Sequence, residues 1–305
     1  MKKSTAILFA LAVMNLALGQ SDWEKMELKG KVKELKTITK NRKGDSWDKF
    51  SAYTATYLFS PSGYILSYEE SYKPDYSTKA GFEAKESYEY NKNNQMVQKK
   101  VYEDEKEIDE VYTYEYDKKG RLTKEIKNDP FFNRNRITIY TYDRRGNLIK
   151  EKKDDDEEIY KYNKNNQLIE HQADFFGQAM LYTYNYDERG NRTEERRFAN
   201  QKRLFTIFFK YDAANRLTEE LTYDHNNKLV GKDEYKYNKE GRVIEKSKYG
   251  SRTIYDYDQY QNVIRDNSLR YTYVYDNEKN WTDKKTFTKD SPDPSTIEER
   301  IISYF

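Results

Sequence analysis

The chain of 305 residues carries 55 Lys and Arg against 53 Asp and Glu, has no cysteine, and has a mean hydropathy of −1.18. The missing cysteines exclude disulfides, thiolate metal sites and thioether lipidation, and the balanced charge excludes the basic surplus on which nucleic-acid binding and attraction to an anionic membrane depend. Charged residues at 35% would suit a disordered chain, but 16% aromatics, among them 31 Tyr, suit thin sheets that bury a ring while its hydroxyl stays hydrogen-bonded.

The first element in chain order is a leader. Met1-Lys2-Lys3 precedes an apolar stretch from Ala6 to Leu18, with small Ala17 and Gly19 just before Gln20. This is the pattern of a secretory signal peptide cleaved after Gly19, and the stretch is shorter than the about 20 residues a membrane span needs. The expectation is an exported protein, periplasmic or extracellular. Lys2 and Lys3 are the only charges in residues 1–19, so the mature chain is expected to carry no net charge. Residues 20–56 alternate around Val32 to Thr39 and Tyr53 to Tyr57 and read as an N-terminal capping hairpin.

From residue 57 to 281 one phrase recurs in about ten copies. One copy is Tyr114-Glu115-Tyr116-Asp117-Lys118-Lys119-Gly120-Arg121-Leu122; another is Tyr184-Asn185-Tyr186-Asp187-Glu188-Arg189-Gly190-Asn191-Arg192. The second aromatic of successive copies falls at Phe59, Tyr90, Tyr116, Tyr142, Tyr162, Tyr186, Tyr211, Tyr237, Tyr257 and Tyr275. Tyr-x-Tyr has the period of a strand with its rings on one face. The Asp or Asn that follows suits the first position of a tight turn, where its side chain bonds the backbone ahead. Three residues later stands Gly120, Gly146, Gly190 or Gly241, the left-handed position of a type I turn with a bulge. Asn94, Asn166 and Asn215 take that place elsewhere, as the residue that best tolerates positive φ after glycine. Gln261 and Lys279 break the rule, so the last two turns are expected to be strained or of another type. After the turn, alternation resumes, and in Arg121-Leu122-Thr123-Lys124-Glu125-Ile126 it places Leu122 and Ile126 on one face. The expected fold is therefore all-β: tandem β-hairpins in one long, coiled antiparallel sheet, with rings and aliphatics on one side and charges on the other. Residues 282–305 turn at Ser291-Pro292-Asp293-Pro294 and end in a capping strand, and no linker divides residues 20–305 into separate domains.

The phrase Tyr-x-Tyr-Asp-x-x-Gly-Arg-Leu, as it stands at 114–122, resembles the YD repeat of the RHS-type bacterial proteins over roughly residues 57–281. The resemblance implies an antiparallel sheet that spirals. Large members of that family wrap the sheet into a hollow shell around a toxic C-terminal domain. Here the units are too few to enclose a folded cargo, and only residues 282–305 follow the last unit. The chain is thus similar to the short, exported type without a toxin domain, for which the resemblance also implies carbohydrate binding.

No catalytic residue, metal ligand or cofactor is expected. His171 and His225 are too far apart in sequence to show a metal-ligand spacing, and there is no glycine-rich phosphate loop or Gly-x-Ser-x-Gly turn. Carboxylates recur at equivalent turn positions, whereas a glycosidase pair should be singular. The run Asp154-Asp155-Asp156-Glu157-Glu158 reads as a charged hairpin tip, with calcium binding as the alternative. An outer-membrane barrel is disfavoured because the face away from the rings carries Lys, Glu and Arg. The candidate binding residues are aromatics at loop tips, Phe131, Phe132, Phe175, Phe176 and Tyr260, which either form a sugar-stacking surface or fold back over the core. The leading reading is a non-catalytic exported repeat protein that presents its sheet to a glycan. The alternative is a structural or protein-interaction scaffold, pairing through an edge strand, and a carbohydrate-active enzyme is the remote third.

Overall fold

The computed structural model describes residues 20–43, 46–73, 82–103, 107–129, 134–175, 177–288 and 291–305. The leader lies outside these residues, as do Phe131, Phe132 and Phe176. Apart from one helical turn, α1 (Asp22–Lys25), the regular structure is one antiparallel sheet of 23 strands, built as the tandem hairpins that the repeats predict. The strands are β1 (Val32–Lys43), β2 (Ser46–Phe59), β3 (Ile65–Lys73), β4 (Phe82–Tyr90), β5 (Met96–Glu103), β6 (Ile108–Tyr116), β7 (Leu122–Asp129) and β8 (Arg134–Tyr142). They continue as β9 (Leu148–Lys153), β10 (Asp156–Tyr162), β11 (Leu168–Phe175), β12 (Gln178–Tyr186), β13 (Arg192–Ala199), β14 (Lys202–Tyr211), β15 (Leu217–Asp224) and β16 (Leu229–Tyr237). The last are β17 (Val243–Lys248), β18 (Ser251–Ile254), β19 (Asp256–Tyr257), β20 (Val263–Arg265), β21 (Leu269–Tyr275), β22 (Trp281–Thr288) and β23 (Thr296–Tyr304). Packing groups the chain into two compact units. Unit 1 runs to Ile137 and takes in Thr272–Thr286 and Pro292–Phe305, and unit 2 comprises Thr138–Tyr271 and Phe287–Ser291.

The turns follow from the Asp or Asn that opens them. Asp117 donates its backbone N–H to the Arg121 carbonyl at 2.9 Å, and Gly120 donates to the Asp117 carbonyl at 2.9 Å. The Asp117 carboxylate then accepts the N–H groups of Lys119 and Arg121 at 2.8 and 3.0 Å. Gly120 sits at φ 79°, and Asn94, Asn166 and Asn215 sit near 60° in the same place. Gln261 and Lys279 do not change the turn type: both adopt the left-handed conformation, at φ 68° and 69°, and their turns close with the same backbone bonds. The strain expected there is present, and the different geometry is not.

One expectation about faces is corrected. Tyr116 pairs with Leu122 and Glu115 with Lys124, so Thr123 is an extra residue that slips the register by one. Tyr114 therefore faces Glu125 and Tyr112 faces Lys127, while Ile126 pairs with Thr113. Leu122 and Ile126 lie on opposite faces, because a bulge reverses the alternation between them. The slip recurs with Leu66, Val97, Ile149, Ile169, Thr193, Thr218 and Ile244 as the extra residue. Its consequence is that ionised side chains enter the tyrosine face.

In unit 1 the core is closed by the chain's two ends. Leu28, Val32, Leu35 and Phe59 are buried, with Trp23, Ile302 and Tyr304 against them. Ser21 and Glu24 form a capping box that holds α1, and Trp23 donates its indole N–H to the Val32 carbonyl at 2.8 Å. Strand β1 lies between β2 and β23, so the first and last strands are neighbours and neither is left with a free edge. Asn280, only 4% exposed, exchanges two bonds of 2.8 Å with the backbone of Lys29.

Candidate binding site

In five repeats the second tyrosine locks successive hairpins together. The hydroxyls of Tyr186, Tyr211, Tyr237 and Tyr257 donate to the carbonyls of Leu168, Arg192, Leu217 and Val243 at 2.7, 2.9, 2.6 and 2.7 Å. In each case the acceptor opens the second strand of the preceding hairpin. In unit 1, Tyr116 does the same to Met96 at 2.7 Å. The first copy has Phe59 at this place, where it is a core residue instead.

On the tyrosine face the register aligns rings with cations. In unit 1 the row is Tyr88, Lys99, Tyr112, Lys127. The Lys99 ammonium lies 5.9 and 5.7 Å from the Tyr88 and Tyr112 ring centres and 2.7 Å from the Glu86 carboxylate. Burial draws the Lys99 pKa down, against the pull of Glu86. Burial pushes the Glu110 carboxyl up, but its bonds from Lys127 and Tyr112 outweigh this and hold it below the ordinary range. In unit 2 the row is Tyr160, His171, Tyr182, Arg197. The His171 ring stacks on Tyr160 at 4.6 Å and on Tyr182 at 5.3 Å, and its Nε2 lies 2.7 Å from Glu158. That bond holds the Glu158 carboxyl below its usual value.

The opposite face carries a charge pair across five of the hairpins. Lys124 meets Glu115, Lys161 meets Glu170, Lys210 meets Glu219, Lys236 meets Glu245, and Arg265 meets Asp256. The base stands on the first strand in three of these hairpins and on the second in two, yet each pair is opposite in charge. The acidic run at 154–158 is a tight β9–β10 hairpin tip. Glu157 turns to Lys150 at 2.6 Å and Glu158 to His171, so its carboxylates diverge. Among the described residues no group of three or more His, Asp or Glu side chains is placed to hold a metal, and no helix is long and apolar enough to cross a membrane.

Along one end of the unit 2 strands the Asx turns form a bonded row. Asn147 donates to the Asn166 side chain and Asn191 to the Asn215 side chain, each at 3.0 Å, and Arg216 donates to the Asn238 carbonyl at 3.0 Å. Between the turns at 163–167 and 187–191 this row opens into a shallow cleft of about 300 Å³, largely open to solvent. Asn163 and Gln167 form one wall, tied side chain to side chain at 2.7 Å, and Asp187 and Tyr184 form the other. Bonds from Asn191 hold the Asp187 carboxyl below its usual range. Burial, reinforced by Glu195, pushes the Tyr184 hydroxyl up to about 12. Asn165 and Glu188, at the turn tips, add an amide and a carboxylate to the mouth.

The aromatic candidates fall elsewhere. Tyr260 is 39% exposed in the turn at 258–262, where its N–H caps the Asp258 carboxylate at 2.9 Å. The Phe175 backbone pairs with Gln178 at the β11–β12 hairpin tip, at the far end of the strands from that turn row. The structure does not bring Phe175 and Tyr260 together. The cleft residues carried no signal of their own in sequence, since each occupies an ordinary repeat position and only the stacking of turns collects them.

No family model and no curated protein matches the sequence. Among solved structures, the chain is similar to one of a Photorhabdus luminescens Tc holotoxin pore, at 16% identity over 82% of this chain and 14% of that chain, with a TM-score of 0.45. A crystal structure of TcdB2-TccC3 is matched at 16% identity over 82% of this chain and 15% of that one, with a TM-score of 0.46. A porin-like protein from Bacteroides uniformis is matched at 13% identity over 89% of this chain and 98% of that one, with a TM-score of 0.34. The chain thus spans about a seventh of the toxin-complex chains it matches.

Proposed function

We propose that the protein is a non-catalytic, exported scaffold of YD-type repeats that binds a neutral glycan in the turn-row cleft of unit 2. The observation that carries this reading is the cleft itself, where amides, carboxylates and a phenol converge between two turns held rigid by their own hydrogen bonds. Sugar hydroxyls need donors and acceptors in alternation, and Asn165, Gln167 and Glu188 supply both beside the Tyr184 ring. The leader sequence supports export. Calorimetric titration with a panel of neutral oligosaccharides tests the reading. One or more should bind saturably, and Asn165→Ala with Glu188→Ala should weaken that binding about tenfold, equivalent to one or two lost hydrogen bonds. A panel without a saturable ligand, or equal binding by the double variant, would overturn it.

A second reading has its own support. Leu229 and Val230 on β16, Tyr249 in the turn between β17 and β18, and Ile254 on β18 expose 46%, 47%, 76% and 44% of their surface, and large exposed apolar side chains can anchor a protein contact. Edge-strand pairing has less to work with, because β1 and β23 occupy each other's edges. Cross-linking in the native envelope separates the readings: a defined protein partner captured through Tyr249 favours the scaffold.

A further inference from the structure

Arg300, on β23, departs from the pattern of the unit 1 tyrosine face. Its guanidinium carbon lies 3.5 Å from the Trp281 ring centre, with Tyr57 and Tyr273 close enough to act on it electrostatically. Lys99, Lys127 and Lys284 each meet a carboxylate. Arg300 makes no ion pair among the described residues, and its Nε is shielded from solvent without an acceptor. The neighbouring carboxylate, Glu298, acts on it through space only: its two oxygens accept from the Lys284 ammonium at 3.2 and 3.0 Å and make no hydrogen bond to the guanidinium.

Stacking on an indole satisfies the flat face of a guanidinium. It leaves the N–H donors, which lie in the plane, still to be met. A cation withdrawn from water without a hydrogen-bonded counter-charge is destabilising, and burial, against the through-space pull of Glu298, has drawn the Arg300 pKa down to about 10. The missing element is an acceptor carrying negative charge. With Lys284 engaged by Glu298, a single positive charge is available, which balances a singly charged planar group better than a doubly charged phosphate. A carboxylate matches the guanidinium fork with two parallel bonds.

We propose that Arg300, on its Trp281 floor, is an anion-recognition point that takes a carboxylate group, from a small carboxylate or from an acidic sugar of the uronate class. The site is independent of the reading given to the unit 2 cleft. The test follows the Arg300 Nε–H resonance of the full chain by NMR, assigned through its loss in Arg300→Lys. Acetate, glucuronate, methyl glucoside and sodium chloride are added in turn. A saturable downfield shift with acetate and glucuronate, but not with methyl glucoside or chloride, is expected. A stronger response to glucuronate identifies the sugar acid, and equal responses identify the carboxylate alone. In parallel, Arg300→Gln should weaken glucuronate binding about tenfold or more, as befits a lost charge-assisted pair. No shift with either carboxylate, or the same shift with chloride, overturns the proposal, and the wild-type resonance decides the matter even where Arg300→Gln does not fold.

Discussion

Asn280 and Lys29 are joined by a reciprocal pair of hydrogen bonds: the Asn280 side chain accepts from the Lys29 N–H and donates to its carbonyl, both at 2.8 Å. The same amide also donates to the Tyr304 hydroxyl at 2.8 Å. One buried side chain in the last repeat turn thereby ties the segment before β1 to the end of β23. Asn280→Ala leaves two backbone groups without partners and should lower stability by about 3 kcal/mol. Urea unfolding should show a lower midpoint at unchanged slope; an unaltered midpoint would mean that the tie carries no stability.

The tyrosine locks make a second quantity measurable. Tyr186→Phe, Tyr211→Phe and Tyr237→Phe each remove one phenol-to-carbonyl bond and keep the ring, so each should lower stability by about 1 kcal/mol. The three share no partner, and the triple variant should approach the sum. A triple variant as stable as the wild type would show that the rings alone hold neighbouring hairpins together.

Lys279 and Gln261 occupy positions that glycine fills in other copies, at φ 69° and 68°. A side chain there strains the backbone, and the Gln261 Oε1 is buried without a partner. Lys279→Gly and Gln261→Gly should each raise stability by about 1 kcal/mol, whereas Gly241→Ala, at φ 84°, should lower it by a similar amount. Thermal midpoints check both signs, and a fall on either glycine substitution contradicts the strain.

Stability should fall away at both ends of the pH scale. The turn carboxyls of Asp117, Asp187 and Asp212 lie below their ordinary value, held there by bonds from the residue four positions on, and Glu245 is drawn down to about 2 by Arg252 and Lys236. A depressed acid contributes stability above its unfolded pKa, and that contribution is lost as pH falls from about 4 through the folded value. The phenols move the other way: burial first, then neighbouring charge, raises Tyr53, Tyr184 and Tyr304 to about 12. Their contribution is complete below about pH 10 and is lost as pH rises through the folded values. Melting temperature should be flat between these limits, and phenolate absorbance should lag behind that of free tyrosine. Free-tyrosine titration in the folded protein would refute the alkaline half.

The grammar of one hairpin was open to reading because it is local. Tyr-x-Tyr sets a strand face, Asp117 sets the turn, and Gly120 or Asn94 answers a backbone demand. The register slip at Thr123 was not, since a bulge residue has no compositional mark, and strict alternation without it puts Glu125 on the other face. The pairing of β1 with β23 joins segments more than 250 residues apart, beyond any periodic signal. Gln261 and Lys279 reach the left-handed turn because the flanking strands impose it. The cleft and the Arg300 site were hidden for the same reason, since both arise where repeats, or the chain's ends, meet.

The neighbouring placement of β1 and β23 fixes how the fold answers a mechanical load. Val32 stands opposite Tyr304, so a pull applied through these two ends acts along the inter-strand bonds, which run across antiparallel strands. Such a load opens the seam like a zip, one bond at a time. A pull through a hairpin tip and the opposite end of a neighbouring strand would shear many bonds at once. Tethered by its two ends, the protein should open at low force; held by the turn row and a distant tip, it should resist.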